Sequence, residues 1–312
     1  MILSNTFDEA AYNQSDSPNT DASKTGDTEA ADTIQLSGKD LFQIERQPGL
    51  LAYFRSIWPA RFFIFAHARS AAFSTGRGTF LGKLWLVLDP MLQVLIYAIV
   101  FGLVLRTHRG IDNFVGFLTI GVIYFRFLTE GLTNGSGLIQ RNRSLITSFN
   151  FPRIAVPLGV SIQSFLDGLI PALVAVVIAL ALQLHKPISW SILWVPFLYL
   201  LIRVGGAGAT MITARLTARI PDMRSVVRVI TQGLFFISGV FYSLERFGDS
   251  PVATIMRLNP LYQFLFAIRS CVLEGQAPPL DTILYVSAWS VLLLIFGIIF
   301  FWRDEARYAR IK

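Results

Sequence analysis

Residues 84–105 read LWLVLDPMLQVLIYAIVFGLVL, an apolar stretch whose single charged residue is Asp89. Its length matches the ~20 residues that an α-helix needs to cross the hydrocarbon core of a bilayer. Similar stretches recur at residues 114–133, 156–182, 190–214, 226–244 and 280–302. The sequence therefore predicts an all-α integral membrane protein with six transmembrane helices.

The composition supports a membrane protein over a soluble one. Hydrophobic residues make up 53% of the 312 residues and charged residues 15%, which would leave a soluble domain short of polar surface. The net charge of +7 fits basic loops on the cytoplasmic side of a membrane, so it does not point to nucleic acid. The single cysteine, Cys271, excludes an intramolecular disulfide framework and CxxC metal sites.

Two different segments precede the first span. Residues 1–36 are acidic and polar, which predicts a disordered cytoplasmic tail that cannot bury enough apolar surface to fold. Residues 37–83 form a cytoplasmic interfacial segment, in which aromatic and aliphatic residues alternate with arginines from Leu50 to Arg77. Such a helix lies on the anionic leaflet or packs on a partner domain, and both interpretations stay open.

The last two spans are separated by an aromatic stretch from Pro251 to Gly275. It is interrupted by Arg257, Pro260 and Arg269, so we expect short re-entrant helices that are buried against protein. Residues 84–312 are thus assigned to one six-helix transmembrane domain.

Lysine and arginine predict the orientation in the membrane. With the amino terminus inside, most basic residues of the loops fall on the cytoplasmic side, among them Arg143, Arg219 and Arg303, whereas Lys186 lies outside. Both termini are predicted to be cytoplasmic.

The sequence contains no motif for binding a nucleotide or a metal ion. The stretch from Gly78 to Lys83 has some likeness to a phosphate-binding loop, but Arg77 and Leu84 stand where GxxxxGK[ST] requires Gly and Ser or Thr. The three histidines are scattered, so no helical metal pair is present. We expect no catalytic residues, no metal and no cofactor bound by this chain.

Four short motifs occur in order along the chain. They are Leu81-Gly82-Lys83-Leu84-Trp85 with Asp89-Pro90, then Asn142-Arg143-Ser144-Leu145-Ile146 with Phe151-Pro152-Arg153, Arg219-Ile220-Pro221-Asp222, and Asn259-Pro260-Leu261. Together with the predicted topology, they resemble the ABC-2-type permeases that export O-antigen, teichoic acid, capsule or galactan.

This resemblance implies an assembly and a substrate. It implies a homodimer of the chain in the cytoplasmic membrane, joined to two separate ABC ATPase subunits that hold ATP and Mg. The substrate would be a lipid-linked glycan, moved outwards through a channel between the two protomers.

Three groups of residues are candidates for the work of such a permease. Coupling to the ATPase would use the basic segment from Gln140 to Pro157, with Arg141, Asn142, Arg143, Leu145, Ile146, Phe151, Pro152 and Arg153; the alternative is that its arginines only anchor the topology. Sugar faces stack on aromatic rings, so Tyr97, Phe101 and Tyr242 are candidates for the substrate path, with packing between helices as the alternative.

Charges inside apolar spans need a partner or water, which singles out four residues. Arg126 and Glu130 are four residues apart and are expected to pair with each other. Asp167 or Arg203 is expected to face a partner helix rather than the substrate.

Other functions stay open as alternatives. An ABC-2 exporter of a drug or small lipid would share the topology. An ion-coupled secondary transporter would usually show internal repeats, which are absent from the sequence. A membrane glycosyltransferase would need an acidic metal-binding cluster in its loops.

Overall fold

The computed structural model describes residues 81–104, 111–148, 151–184, 186–244 and 250–310, together with scattered positions from 49 to 69. These residues lie in helices and in the turns between them, with no β-strand among them. Five helical stretches in this part of the chain are long and apolar enough to cross a membrane: Trp85–Val104, Phe114–Gly135, Ala155–Ala181, Trp190–Arg219 and Leu280–Trp302. They confirm five of the predicted spans, and the predicted acidic tail lies outside the described residues.

We number the helices in chain order. The first half contains α1 (Trp85–Tyr97), α2 (Phe114–Gly135), α3 (Leu138–Arg141), α4 (Arg143–Ser148) and α5 (Ala155–Ala181). The second half contains α6 (Trp194–Arg219), α7 (Met223–Ile237), α8 (Pro251–Arg257), α9 (Pro260–Arg269) and α10 (Leu280–Trp302). Two of them continue as π-helical turns, α1 over Ala98–Val104 and α9 over Ser270–Glu274.

Hydrogen bonds between helices show that α2 and α5 are antiparallel. At the start of α2, Asn113 Nδ2 donates to the carbonyl oxygen of Ala179 near the end of α5, at 2.8 Å. At the end of α2, Asn134 Nδ2 donates to Ser164 Oγ in the first half of α5, also at 2.8 Å.

Helices α2 and α6 run in the same direction instead. Arg203 Nη1 lies 2.6 Å from Glu130 Oε2, and further along both helices the backbone N–H of Gly137 donates to Thr217 Oγ1 at 2.9 Å. A later residue of one helix therefore contacts a later residue of the other, as expected for parallel helices.

Helices α6 and α10 are also parallel, and small residues let them approach closely. A Cβ added to Gly208 of α6 would overlap the carbonyl of Leu293 in α10. Where both helices end, Arg219 binds Asp304, which lies 85 residues further along the chain, and Leu293 follows Gly208 by the same offset. We call this end of the bundle the Asp304 end. Close glycine contacts of this kind stabilise helix pairs in membranes.

The chain between two parallel helices must return from the Asp304 end to the opposite end. Helix α7 makes the first part of this return, but its 15 residues extend only about 22 Å at 1.5 Å per residue, short of a ~30 Å bilayer core. The predicted fifth span, 226–244, is thus helical only as far as Ile237, and the chain turns at Gly239, whose φ is +67°. Glycine adopts this left-handed conformation without the steric cost that a Cβ atom brings.

Two short helices, α8 and α9, occupy the stretch where short helices are predicted. Asn259 joins them: its side-chain oxygen accepts from the N–H of Leu261 at 3.0 Å, and its Nδ2 donates to Ser238 Oγ at 3.1 Å. Arg269 of α9 is buried and donates to the carbonyl oxygen of Gly239 at 2.8 Å. Both helices are therefore fastened to the turn that follows α7.

A hydrophobic cluster at the Asp304 end joins several parts of the chain. Its buried members are Tyr53, Leu138, Ile139, Ile146, Ile154, Val156, Met211, Ala214, Ala218, Phe301 and Tyr308. Tyr53 belongs to the predicted interfacial segment. Its described positions from 53 to 69 are helical and include buried Ile64 beside exposed Trp58 and Phe62. An amphipathic pattern of this kind suits a helix at a membrane surface.

Candidate functional site

The predicted coupling segment between α2 and α5 contains two short helices. Gly137 takes a left-handed φ of +71° and starts α3, and the segment breaks at Asn142 before α4 begins. The Asn142 Nδ2 donates to the carbonyl oxygen of Leu138 at 3.0 Å, which fixes the break. The described part of the segment is thus built from helical turns held by local hydrogen bonds.

The apolar and basic residues of this segment have different environments. Ile146 is buried, and Leu145 and Phe151 pack against the hydrophobic cluster of the Asp304 end. Arg141 and Arg143 are exposed, although Arg141 Nη2 also donates to the carbonyl oxygen of Asn134 at 2.9 Å. The segment therefore binds the bundle through its apolar side chains and presents arginines to its surroundings.

Pro152 and Arg153 lead from the segment into α5. The N–H of Ala155 donates to the carbonyl oxygen of Pro152 at 2.9 Å, which forms the first turn. The backbone N–H of Arg153 donates to Glu305 Oε1 at 2.7 Å, and Arg153 Nη1 donates to the carbonyl oxygen of Glu305 at 2.9 Å. The segment is therefore attached to the tail that follows α10.

Glu305 is the meeting point of three parts of the chain. It is 6% exposed, and its Oε2 accepts a hydrogen bond from the hydroxyl of Tyr53 at 2.6 Å. Burial raises the pKa of the Glu305 carboxyl above the ordinary value of 4.5, despite the opposing effect of the hydrogen bonds from Tyr53 and Arg153. One carboxyl group thus joins the interfacial segment, the coupling segment and the carboxyl-terminal tail.

Its neighbour Asp304 binds α6. Asp304 is 2% exposed, Arg215 Nε lies 2.7 Å from its Oδ2, and Arg219 contacts both of its oxygens, with Nη2 at 2.6 Å from Oδ1. Burial alone would raise the pKa of the Asp304 carboxyl. The hydrogen bond from Arg219 and the charge of Arg215 outweigh burial, so this pKa lies below its ordinary value.

Sequence reasoning did not single out Tyr53, Asp304 or Glu305. A usable signal was present, because two adjacent carboxylates follow an apolar span in a tail that is otherwise basic. Their burial depends on partners that lie 85 to 252 residues away, which no local pattern reveals.

The three predicted substrate-path aromatics come together around Phe241. The ring of Phe101 stacks on that of Phe241 with centroids 4.1 Å apart, and the Tyr97 ring meets it edge-on at 5.1 Å. Tyr242 follows in the chain, and its hydroxyl donates to the carbonyl oxygen of Phe236 at 2.7 Å. The three residues are partly buried and join α1 to the end of α7.

The predicted pairing of Arg126 with Glu130 is wrong. Arg126 Nη1 lies 2.7 Å from Asp89 Oδ2 of α1, and Glu130 instead binds Arg203 of α6. Residues four apart on a helix are offset by about 40° around its axis, so each of the two charges is nearer to a different neighbouring helix.

Arg203 points towards α2, where its guanidinium binds Glu130. Its side chain is 7% exposed, and its guanidinium lies over the rings of Phe127 at 4.3 Å and Tyr199 at 4.9 Å. Asp167, on α5, accepts a hydrogen bond from Gln163 Nε2 at 3.4 Å. A buried cation held by one carboxylate and two ring faces ties α2 to α6.

Other site chemistry is not indicated in the described part of the chain. It contains no group of three or more His, Cys, Asp or Glu side chains able to hold a metal. A cavity of about 630 Å³ at the end opposite Asp304 is lined by Asp112 and Asp281 as well as Lys186 and Arg257. This mixture of charges favours neither an anion nor a cation.

Comparisons with known proteins agree with the architecture. Residues 64–273 match the ABC-2 type transporter family. The chain is 26% identical over 219 residues to the O-antigen export system permease protein RfbA of Myxococcus xanthus, covering 70% of this chain and 83% of that protein. It is 24% identical over 237 residues to RfbA of Klebsiella pneumoniae, covering 75% and 89%. It is also 24% identical over 239 residues to the polysialic acid transport protein KpsM of Escherichia coli, covering 72% and 87%. The chain is a multi-pass membrane protein, and it belongs to the ABC-2 type transporter family.

Proposed function

We propose that this chain is the membrane subunit of an ATP-driven exporter that moves a lipid-linked polysaccharide or related polymer out across the cytoplasmic membrane. The observation that carries the proposal is the anchored coupling segment. It exposes Arg141 and Arg143 while its apolar face and Arg153 hold it to the bundle. A segment built in this way is suited to receive force from a soluble partner, and the O-antigen and polysialic acid permeases among its relatives supply the substrate class.

The proposed topology has six crossings, with re-entrant α8 and α9 and both termini in the cytoplasm. Its support is the parallel arrangement of α6 and α10, since the intervening residues 220–279 must return across the bundle. Cysteines placed at Arg143 and Lys186 in a Cys271→Ser background would test the orientation. We expect an impermeant thiol reagent to label the Lys186 position from outside and the Arg143 position only after permeabilisation. The reverse pattern would contradict the proposal.

The proposed partners are two ABC ATPase subunits, which would hold ATP and Mg. Exposed Arg141 and Arg143 offer cations to acidic groups on such a partner or to lipid phosphates. The purified chain alone should neither bind nor hydrolyse ATP, and robust turnover without a partner would contradict a two-component transporter.

A second copy of the chain is the other proposed partner. On α1 and its extension, Leu95 and Leu103 are 56% and 74% exposed, and on α7 Val229 is 66% exposed. These two faces flank the aromatic group of Tyr97, Phe101 and Tyr242. A homodimer joined near these faces would place the aromatic rings beside a path between protomers, where they could contact sugar faces.

The function is tested by deleting the gene in its host and restoring it. We expect the deletion to leave lipid-linked glycan inside the cell, and the restored gene to return glycan to the surface. Normal surface glycan with altered efflux of a small amphiphile would instead indicate a drug or lipid exporter. Export that survives loss of ATP but stops when ion gradients collapse would indicate a secondary transporter.

A further inference from the structure

The coupling segment has two kinds of connection to the transmembrane helices. Through the backbone it continues from α2 and into α5. Through Glu305 it is also attached to α10, because Arg153 contacts both the side chain and the backbone of Glu305. The second connection does not follow from chain order, since the two residues are 152 positions apart.

The adjacent Asp304 extends this second connection to α6. Its carboxylate is held by Arg215 and Arg219, and Arg215 also donates to the carbonyl oxygen of Phe300 in α10. Two consecutive carboxylates thus bind in different directions, one towards the coupling segment and one towards α6. A displacement of Arg153 would therefore pass to Glu305, across one peptide bond to Asp304, and from Asp304 to α6.

Helices α6 and α10 are well placed to move as one body. Glycines bring their backbones into close contact, as at Gly208 and Gly297, where an added Cβ would overlap the opposite backbone. The interior of such a contact has little room to slide. Force that arrives at the Asp304–Glu305 pair is therefore shared by both helices.

Burial makes the pair resist separation. Asp304 and Glu305 are 2% and 6% exposed, and moving either away from its partners would leave buried polar groups without hydrogen bonds. Tyr53 adds the interfacial segment to the same carboxyl group at 2.6 Å. This hydrogen bond is short and directional, so it can transmit force between the two segments.

We infer that Asp304 and Glu305 form the junction that passes movement of the coupling segment to α6 and α10, so that their contacts determine how much transport each ATP yields. This inference rests on the proposed function. The two carboxylates act through Arg153, Arg215 and Arg219 and are positioning residues, distant from the aromatic rings of the proposed substrate path.

The test measures glycan transported per ATP hydrolysed. The full chain is purified with its ATPase partner, placed in vesicles, and supplied with lipid-linked glycan extracted from the deletion strain. Glu305→Ala removes the side-chain contacts to Arg153 and Tyr53. It should lower the transport-to-ATP ratio about fivefold or more, the low end of typical coupling between sites, while ATP hydrolysis continues.

Two further variants separate coupling from folding. Glu305→Gln can still accept from the N–H of Arg153 and can donate to the Tyr53 oxygen, so it should keep a ratio close to that of the unmodified chain. Tyr53→Phe removes the hydroxyl that holds Glu305 Oε2 in place, which loosens the carboxyl group that Arg153 binds, so this variant should also lower the ratio. If Glu305→Ala fails to assemble, Tyr53→Phe decides the test.

The matched control is Asp281→Ala, which removes an exposed carboxylate from the other end of α10. Its ratio should not change. An unchanged ratio in Glu305→Ala, or in Tyr53→Phe where that variant decides, would overturn the inference. The proposed function fails separately, if the unmodified complex hydrolyses no ATP or moves no glycan.

Discussion

The backbone N–H of Arg153 donates to Oε1 of Glu305 at 2.7 Å, across 152 residues of chain. The side chain of Arg153 adds a second hydrogen bond to the same residue, whereas Arg143 on the same segment is exposed. Two arginines that look equivalent in the sequence therefore have different environments.

Replacing each arginine with alanine should reveal this difference. Arg153→Ala should lower the free energy of unfolding by about 0.5–1.5 kcal/mol, because it removes a partly buried hydrogen bond. Arg143→Ala should change it by less than about 0.5 kcal/mol, as exposed substitutions usually do. Denaturant unfolding in detergent micelles, followed by circular dichroism, measures both. Equal losses would show that Arg153 contributes no more than a surface side chain.

The double substitution Arg143→Glu with Arg153→Glu tests the function of the segment. Both residues lie outside the apolar spans, so insertion should be preserved. Export should weaken because Arg143→Glu replaces a cation offered to the partner or to lipid phosphates, and because Arg153→Glu places a second carboxylate beside Glu305. An exposed pair contributes only about 0.2–1 kcal/mol, so Arg143→Ala alone should be mild for export. Pro152→Gly should lower export further than a single alanine change, because it loosens the turn into α5.

Surface glycan at matched membrane abundance measures this effect. Normal export and normal ATP hydrolysis in the double variant would mean that neither arginine contributes to coupling.

Loss of Glu130 should be costly because it leaves Arg203 buried without its carboxylate. Glu130→Ala is expected to reduce the free energy of unfolding by about 3–5 kcal/mol. The control is Asp112→Ala, which breaks an ion pair with Lys186 outside the apolar spans and should cost about 0.2–1 kcal/mol, because the two side chains are 87% and 42% exposed. Unfolding midpoints of the two variants give the comparison, and a smaller effect for Glu130 would refute the role of the buried pair.

Two neighbouring glycines of α6 should respond in opposite ways to alanine. Gly208→Ala would force a methyl group into the carbonyl of Leu293 and should destabilise by about 1–3 kcal/mol. Gly206→Ala points into open space and should be neutral or stabilise by up to about 1 kcal/mol, since alanine favours helix. Thermal unfolding of the purified variants measures both, and tolerance of Gly208→Ala would mean that α6 and α10 are not tightly packed.

The stability of the chain should depend on the titration of Glu305. Its pKa is raised in the folded chain, so its contribution is fully present below the ordinary value of 4.5 and is lost as the pH rises through the folded value. Glu305→Gln cannot ionise, so the unmodified chain should lose stability relative to this variant as the pH rises above 4.5. Asp304 titrates in both proteins, so its contribution to their difference in stability largely cancels. Unfolding midpoints of the two proteins, measured as the pH rises above 4.5, test this prediction. A difference between the midpoints that stays constant with pH would contradict it.

The sequence predicted the spans that are uniformly apolar. The bounds of α10 match the prediction at both ends, because Pro278 and Pro279 precede the apolar run and the charged residues Arg303, Asp304 and Glu305 follow it. The stretch 226–244 is less apolar, since it contains Arg228 and Gln232. Its helix, α7, ends at Ile237 because the chain turns at Gly239, where Asn259 and Arg269 fasten it. Hydropathy does not record such contacts.

Pairing of charges was the least predictable feature. Spacing along α2 suggested that Arg126 and Glu130 would meet, but neighbouring helices offered closer partners to each. The positions of Asp304 and Glu305 depend in the same way on residues far away in the chain. Composition and period therefore define which segments enter a membrane, and only packing defines which charges meet there.

The parallel pairing of α6 and α10 has a consequence for biosynthesis. Arg215 and Arg219 leave the ribosome 85 or more residues before Asp304, and the glycine face of α6 is complete before the helix that covers it exists. During that interval α6 needs a temporary neighbour, such as the membrane insertase. A nascent chain stalled before Asp304 would display two unmatched cations, Arg215 and Arg219, and an open helix face.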